Sequence, residues 1–127
     1  MDSTILVSEH AIEEGQRLLE RMKKERFQFF AALWYHVPDS SQWVLVIATP
    51  VVSRVGPLAA YSRLQRIVRG MNPSYLALSD ISLFSPASPE MARVRSTVGL
   101  PKKFGMAPPN GHTQDVSPFG EAYVYPV

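Results

Sequence analysis

Ile5, Ser8, Ile12, Gly15, Leu19 and Met22, small or apolar, follow one another at alternating spacings of three and four, with Ala11 and Leu18 beside them. That rhythm holds one stripe of a helix toward a core. It predicts a first helix over about Thr4 to Glu25. The other side of this helix is charged, and Glu13 with Arg17 and Glu20 with Lys24 stand one turn apart, where opposite charges support each other.

From Phe27 the rhythm changes. Phe27 to Val37 and Gln42 to Thr49 are rich in aromatic and β-branched residues, and Pro38-Asp39-Ser40-Ser41 between them suits a turn. The two runs predict an antiparallel hairpin. Neither alternates between apolar and polar residues. Phe30, Ala32 and Trp34 point one way and Phe29, Ala31, Leu33 and Tyr35 the other, while Trp43, Leu45 and Ile47 oppose Val44, Val46 and Ala48. Both faces of the hairpin therefore need cover.

After a connection through Thr49 to Val55, Gly56-Pro57 marks a helix start, because proline is preorganised for a first turn and has no amide to leave unpaired there. The second helix runs to about Arg69 and stops at Gly70, with Leu58, Tyr61, Leu64, Val68 and Met71 as its apolar stripe. Arg63, Arg66 and Arg69 lie on its exposed side. Leu76 to Ser85 contains a third strand, most clearly Ile81 to Phe84. Ser88-Pro89-Glu90 then reads as cap, first-turn proline and first-turn acid of a third helix ending before Gly99. Ala122 to Tyr125 is a last clear strand, with weaker candidates at Lys103 to Met106 and His112 to Val116, so a closing hairpin is expected.

The order α-β-β-α-β-α-β-β predicts an α+β fold, a mixed β-sheet with helices mainly on one face, in a single domain spanning residues 1–127. A helix between the second and third strands makes that pair parallel.

Composition narrows the chemistry by exclusion. The 127 residues include no cysteine, which removes disulfides, thiolate zinc sites, iron–sulfur clusters and a cysteine nucleophile, and fits a cytoplasmic protein. The start of the chain lacks the pattern of a signal peptide, and no apolar run approaches a membrane span, so a soluble protein with no membrane association is expected. The net charge is only +2, yet it is unevenly placed. Residues 1–50 carry seven acids against five bases, and residues 51–103 carry eight bases against two acids.

The candidate sites are few. His10, His36 and His112 have no ligand spacing, and although His112 and Asp115 share a loop, neither a metal nor any other cofactor is expected. No serine sits in a nucleophile turn. Glu13 and Glu14 splay apart on a helix, and a restriction-type nuclease would need acids and a lysine that Trp43 to Thr49 lack. Ser53-Arg54-Val55-Gly56 could offer a hydroxyl, a guanidinium and a helix start to a phosphate, but an ordinary strand-to-helix connection explains it as well. Arg54, Arg63, Arg66 and Arg69, with Lys102 and Lys103, could bind anions or nucleic acid, but no reading motif accompanies them, and a solvated helix face, or one paired with the acidic first helix, explains them without a ligand. An enzyme assembled from Asp80, His36 and His112 is a further possibility.

The hairpin is the most specific feature, because helices on one face leave the other to the C-terminal segment, a second copy of the chain or a partner. Phe29, Trp34, Tyr35, Trp43 and Leu45 are the candidate interface. The leading expectation is a non-enzymatic protein-interaction module, self-associating as a homodimer or docking a protein partner. The alternative is a binder of nucleic acid or phosphate ligands.

Ala32-Leu33-Trp34, Trp43 to Pro50, Gly56 to Tyr61, Asp80-Ile81-Ser82 and Glu121 to Tyr125 together resemble a group of small uncharacterised bacterial proteins. The resemblance spans most of the chain and implies a bacterial origin and one domain. It brings no catalytic or binding residues with it.

Overall fold

The computed structural model describes residues 8–107 and 122–126. The first helix, α1 (Glu9–Lys24), begins at Ser8, whose hydroxyl accepts the N–H of Ala11 at 3.1 Å. Serine caps better than it continues a stripe, so it ends the apolar pattern here. The part of the expected helix at residues 4–7 lies outside the described residues. The two expected charge pairs along α1 do not close. Among the described residues Arg17 pairs instead with Glu14, at 3.7 Å.

Strands β1 (Ala31–His36) and β2 (Trp43–Ala48) form the expected hairpin, with Ala31 opposite Ala48 and His36 opposite Trp43. The stretch from Val51 to Val55, read from sequence as a plain connection, is a five-residue helix, α2. Thr49 sets it up, accepting the N–H of Val51 and donating to the carbonyl of Gln28. Gly56, at φ 86°, turns the chain into α3 (Pro57–Met71). That helix stops at Asn72, at φ 50°, and not at Gly70, since asparagine also tolerates the left-handed conformation. A single 3₁₀ turn leads to β3 (Ile81–Phe84), parallel to β2 with Ile81 opposite Leu45. Helix α4 (Pro89–Val98) is capped by Ser88 and closed by Gly99 at φ 84°.

Strand β4 (Ala122–Val124) pairs antiparallel with β1, which gives a mixed sheet of order β3-β2-β1-β4. The fold is α+β. The closing hairpin is not seen among the described residues. Residues 103–106 form a turn, the 112–116 candidate lies outside the described residues, and β4 joins the first strand of the sheet.

Each sheet face carries its own apolar cluster. Ala32, Trp34, Leu45, Ile47, Ile81 and Leu83 pack beneath α1 and α3. On the other face Ala31, Leu33, Tyr35, Val46 and Ala48 meet Met91 and Val94 of α4, with Leu100 and Phe104 beyond it. Arg95 secures that cover. Its Nε donates to the carbonyl of Phe104 at 2.7 Å and its Nη2 to that of Pro86.

The second face is thus covered by the chain itself, and this corrects the candidate interface. Trp34 and Leu45 are 3% and 0% exposed in the first cluster, where Phe29 joins them because its strand begins only at Ala31. Tyr35 is buried in the second, and Trp43 is half-buried against the first. Phe29, Trp34 and Leu45 present no free surface, and Tyr35 reaches solvent only at the edge of a groove. What stays open is a groove of about 410 Å³ beside α4, lined by Tyr35, Val37, Val44, Val46 and Phe84 and rimmed by Glu90 and Arg93.

Candidate functional site

The end of α1 is built by a backbone device that leaves cations on the surface. The N–H of Phe27 bonds back to the carbonyl of Met22 at 2.8 Å, and that of Arg26 to Lys23 at 3.2 Å. This is the double closure of a Schellman motif, whose left-handed position usually holds glycine. Here it holds Arg26, at φ 60°. The motif drives Phe27 inward beside Met22, both in the first cluster, and turns Arg26 to solvent.

Phe27 then lies between two hollows. One, of about 280 Å³, is lined by Arg21, Glu25, Phe27, Arg63, Arg66 and Ile67. The other, of about 370 Å³, is lined by Lys23, Arg26, Phe27, Gln28 and Phe29. The guanidinium of Arg63 sits over the Phe27 ring, 5.5 Å from its centre, and the ammonium of Lys23 over Phe29 at 6.0 Å. Cations hold to ring faces because the π-system is electronegative there. Arg54 approaches from α2 and donates to Oε1 of Gln28 at 2.9 Å. Five cations from α1, its C-terminal turn and α3 therefore line the two hollows against Phe27, Arg54 stands behind them on Gln28, and the hollows contain one carboxylate, that of Glu25.

Of the residues singled out in the sequence, Arg63 and Arg66 are brought together here, while Arg54 is held on Gln28 at the edge of the second hollow. Arg69 is exposed in the last turn of α3. Lys102 and Lys103 are separated from them. They immediately precede Phe104, which packs on the sheet face opposite α3. The segment Ser53 to Gly56, weighed for phosphate and read as an ordinary connection, is not a loop, because Ser53 and Arg54 lie within α2 and are engaged with Ser85 and Gln28. Sequence reading missed Arg21, Lys23 and Arg26, which it counted only among the charges of the first fifty residues. The run Lys23-Lys24-Glu25-Arg26-Phe27 held the signal, an apolar residue just past a basic helix end.

The chemical candidates do not converge. Oδ2 of Asp80 accepts the N–H of Ala77 at 3.0 Å, while His36 packs on Trp43 across the hairpin, ring centres 5.1 Å apart. His112 and Asp115 lie outside the described residues. Among the described residues no three His, Asp or Glu side chains gather as metal ligands, and no helix is long and apolar enough to cross a membrane. Glu14 is nearly buried and accepts the N–H groups of Ser74, Tyr75 and Leu76 at 2.7–2.8 Å. Burial would raise its pKa, but those donors and Arg17 outweigh it and hold the carboxyl below its usual value. Its role is to tie α1 to the chain after α3.

No family model, curated protein or solved structure matches this chain.

Proposed function

We propose that this chain is a binding module for a phosphate-bearing polymer, nucleic acid foremost, acting without a cofactor. The observation that carries this reading is the crowding of Arg21, Arg63 and Arg66 around one cleft with Glu25 as its only acid. Like charges held together on a low-dielectric floor raise the local potential and attract a polyanion. Each phosphate met by one of them releases a condensed counterion. The cysteine-free composition fits work in the cytoplasm, which this reading assumes.

The test is fluorescence anisotropy with a labelled oligonucleotide. Expected at low salt is binding that weakens steeply as salt rises, and that falls at least about tenfold when Arg63 and Arg66 are both changed to alanine, since each lost phosphate contact removes its counterion release. No binding at low salt removes the reading.

A second reading, self-association or docking of a protein partner, is favoured by one feature, the groove beside α4. Its apolar lining of Tyr35, Val37, Val44, Val46 and Phe84 is only partly covered by the chain. Light scattering tests it directly. A strict monomer at tens of micromolar removes the homodimer.

A further inference from the structure

We infer that the cleft around Phe27 takes a run of successive phosphate groups by charge alone, blind to base and sugar, so that nucleic acid and inorganic polyphosphate compete for it. This rests on the polyanion reading and narrows its ligand.

The rings at the site are closed to stacking. Proteins that hold single strands do so largely by stacking bases on exposed aromatic faces. Phe27 and Phe29 are 1% and 6% exposed, and the approach to each ring is taken by Arg63 or Lys23. Tyr75 is well exposed, but it stacks on His10, at the opposite end of α1 from Arg21. It therefore serves no strand lying in the cleft.

The hollows also lack the amide side chains that read base edges, apart from Gln28. Reading them requires an element that enters a groove and presents arginine, asparagine or glutamine to the base pairs. Here Arg21, Arg63 and Arg66 line a recess shared by α1 and α3, with no asparagine or glutamine beside them. The only amide side chain in the two hollows, Gln28, has its oxygen engaged by Arg54.

The arrangement does favour more than one phosphate. Arg21, Arg63 and Arg66 line one hollow beside Phe27, and Lys23 and Arg26 line the other. A single phosphate meets one group. A chain of phosphates passing the ring meets both, so affinity should grow with chain length.

The experiment is a competition assay on the intact chain with a labelled oligothymidylate at low salt. Unlabelled oligodeoxyadenylate, RNA of equal length, inorganic polyphosphate and orthophosphate are the competitors, matched in total phosphate. Expected is displacement by the first three within about threefold of one another and much weaker displacement by orthophosphate, as counterion release demands. A preference above about tenfold for one base or sugar, or polyphosphate failing to displace the strand, overturns the inference while the binding reading stands. Orthophosphate competing as well as polyphosphate overturns it too. If the labelled strand does not bind at all, the reading beneath it falls and takes the inference with it.

Discussion

Trp34 donates its indole N–H to the hydroxyl of Tyr125 at 2.9 Å, and that hydroxyl donates onward to the carbonyl of Ile12 at 2.7 Å. One phenol thus joins the centre of β1, the residue following β4 and the first half of α1. Tyr125 is 2% exposed, and burial raises its pKa well above the usual tyrosine range, so it stays protonated and keeps donating. Changing Tyr125 to phenylalanine leaves the ring in place but strands a buried indole N–H. The expected loss is about 1–3 kcal/mol of stability, the desolvation penalty of an orphaned donor. Urea denaturation of the two proteins measures it.

The same hydroxyl explains Gly15. A Cβ at that position would overlap the Tyr125 hydroxyl and come 3.2 Å from Nε1 of Trp34. In an ordinary helix interior, alanine is favoured over glycine by about 1 kcal/mol. Here Gly15→Ala is expected to destabilise instead, by about 1–3 kcal/mol, the usual range for overpacking. Because part of the clash is with the hydroxyl, the effect should shrink when Tyr125→Phe is already present. A double-mutant cycle reads that coupling, and simple additivity would show that the two residues do not share the contact.

The apolar positions explain why much of the fold was readable from sequence and why the site was not. Local chemistry placed α4 at its observed bounds, since serine caps, first-turn proline and a C-terminal glycine act within a few residues, and β3 lies where its wider run was clearest. The two faces of the hairpin also came out as read, apart from Phe29. What covers the second face depends on Arg95 reaching Phe104 and Pro86, contacts that no periodicity encodes. Sheet order was equally hidden, because nothing near β4 specifies the edge of β1 as its partner. The basic cleft failed for the opposite reason. Its cations were visible, but Arg21 and Lys23 fit a solvated helix face until the turn at Arg26 brings them around Phe27 beside Arg63.

Glu14 gives the chain a pH-dependent brace. Its folded-state pKa lies below its ordinary value of 4.5, so its contribution is complete above that value and is lost as pH falls through the folded one. Wild-type stability should therefore decline from about pH 4.5 downward as the carboxylate is protonated and releases Ser74, Tyr75 and Leu76. Glu14→Gln should be less stable than wild type at neutral pH and should fall less steeply in acid. Denaturation midpoints at neutral pH and at about pH 3.5 check both halves of the prediction. Parallel acid limbs for the two proteins would contradict it.

Arg95 is a buried cation whose bonds go to backbone carbonyls, and burial lowers its pKa. Arg95→Met keeps the long apolar stem but releases the carbonyls of Phe104 and Pro86. The segment 100–106 should then loosen over the second sheet face while α1, α3 and the first cluster persist. Hydrogen exchange should rise at Phe104 and Met106, whose amides bond within that turn. Dye binding to the exposed apolar face should increase as well. Unchanged exchange there would mean that Phe104 is held by packing alone.

Arg26 separates stability from binding. A non-glycine residue at φ 60° carries a steric cost of about 1–2 kcal/mol that glycine does not. At the same position the side chain adds a charge to the hollow beside Phe27. Arg26→Gly should therefore stabilise the chain by about 1 kcal/mol, less than the full cost because glycine also frees the unfolded chain. The same change should weaken oligonucleotide binding and flatten its salt dependence by about one counterion. Arg26→Ala makes the comparison decisive, because it removes the charge without relieving the backbone. It should bind as weakly as the glycine variant and be no more stable than wild type. If both variants bind as tightly as the parent, Arg26 faces no phosphate, and the cation at this strained position is left with no role beyond solvation.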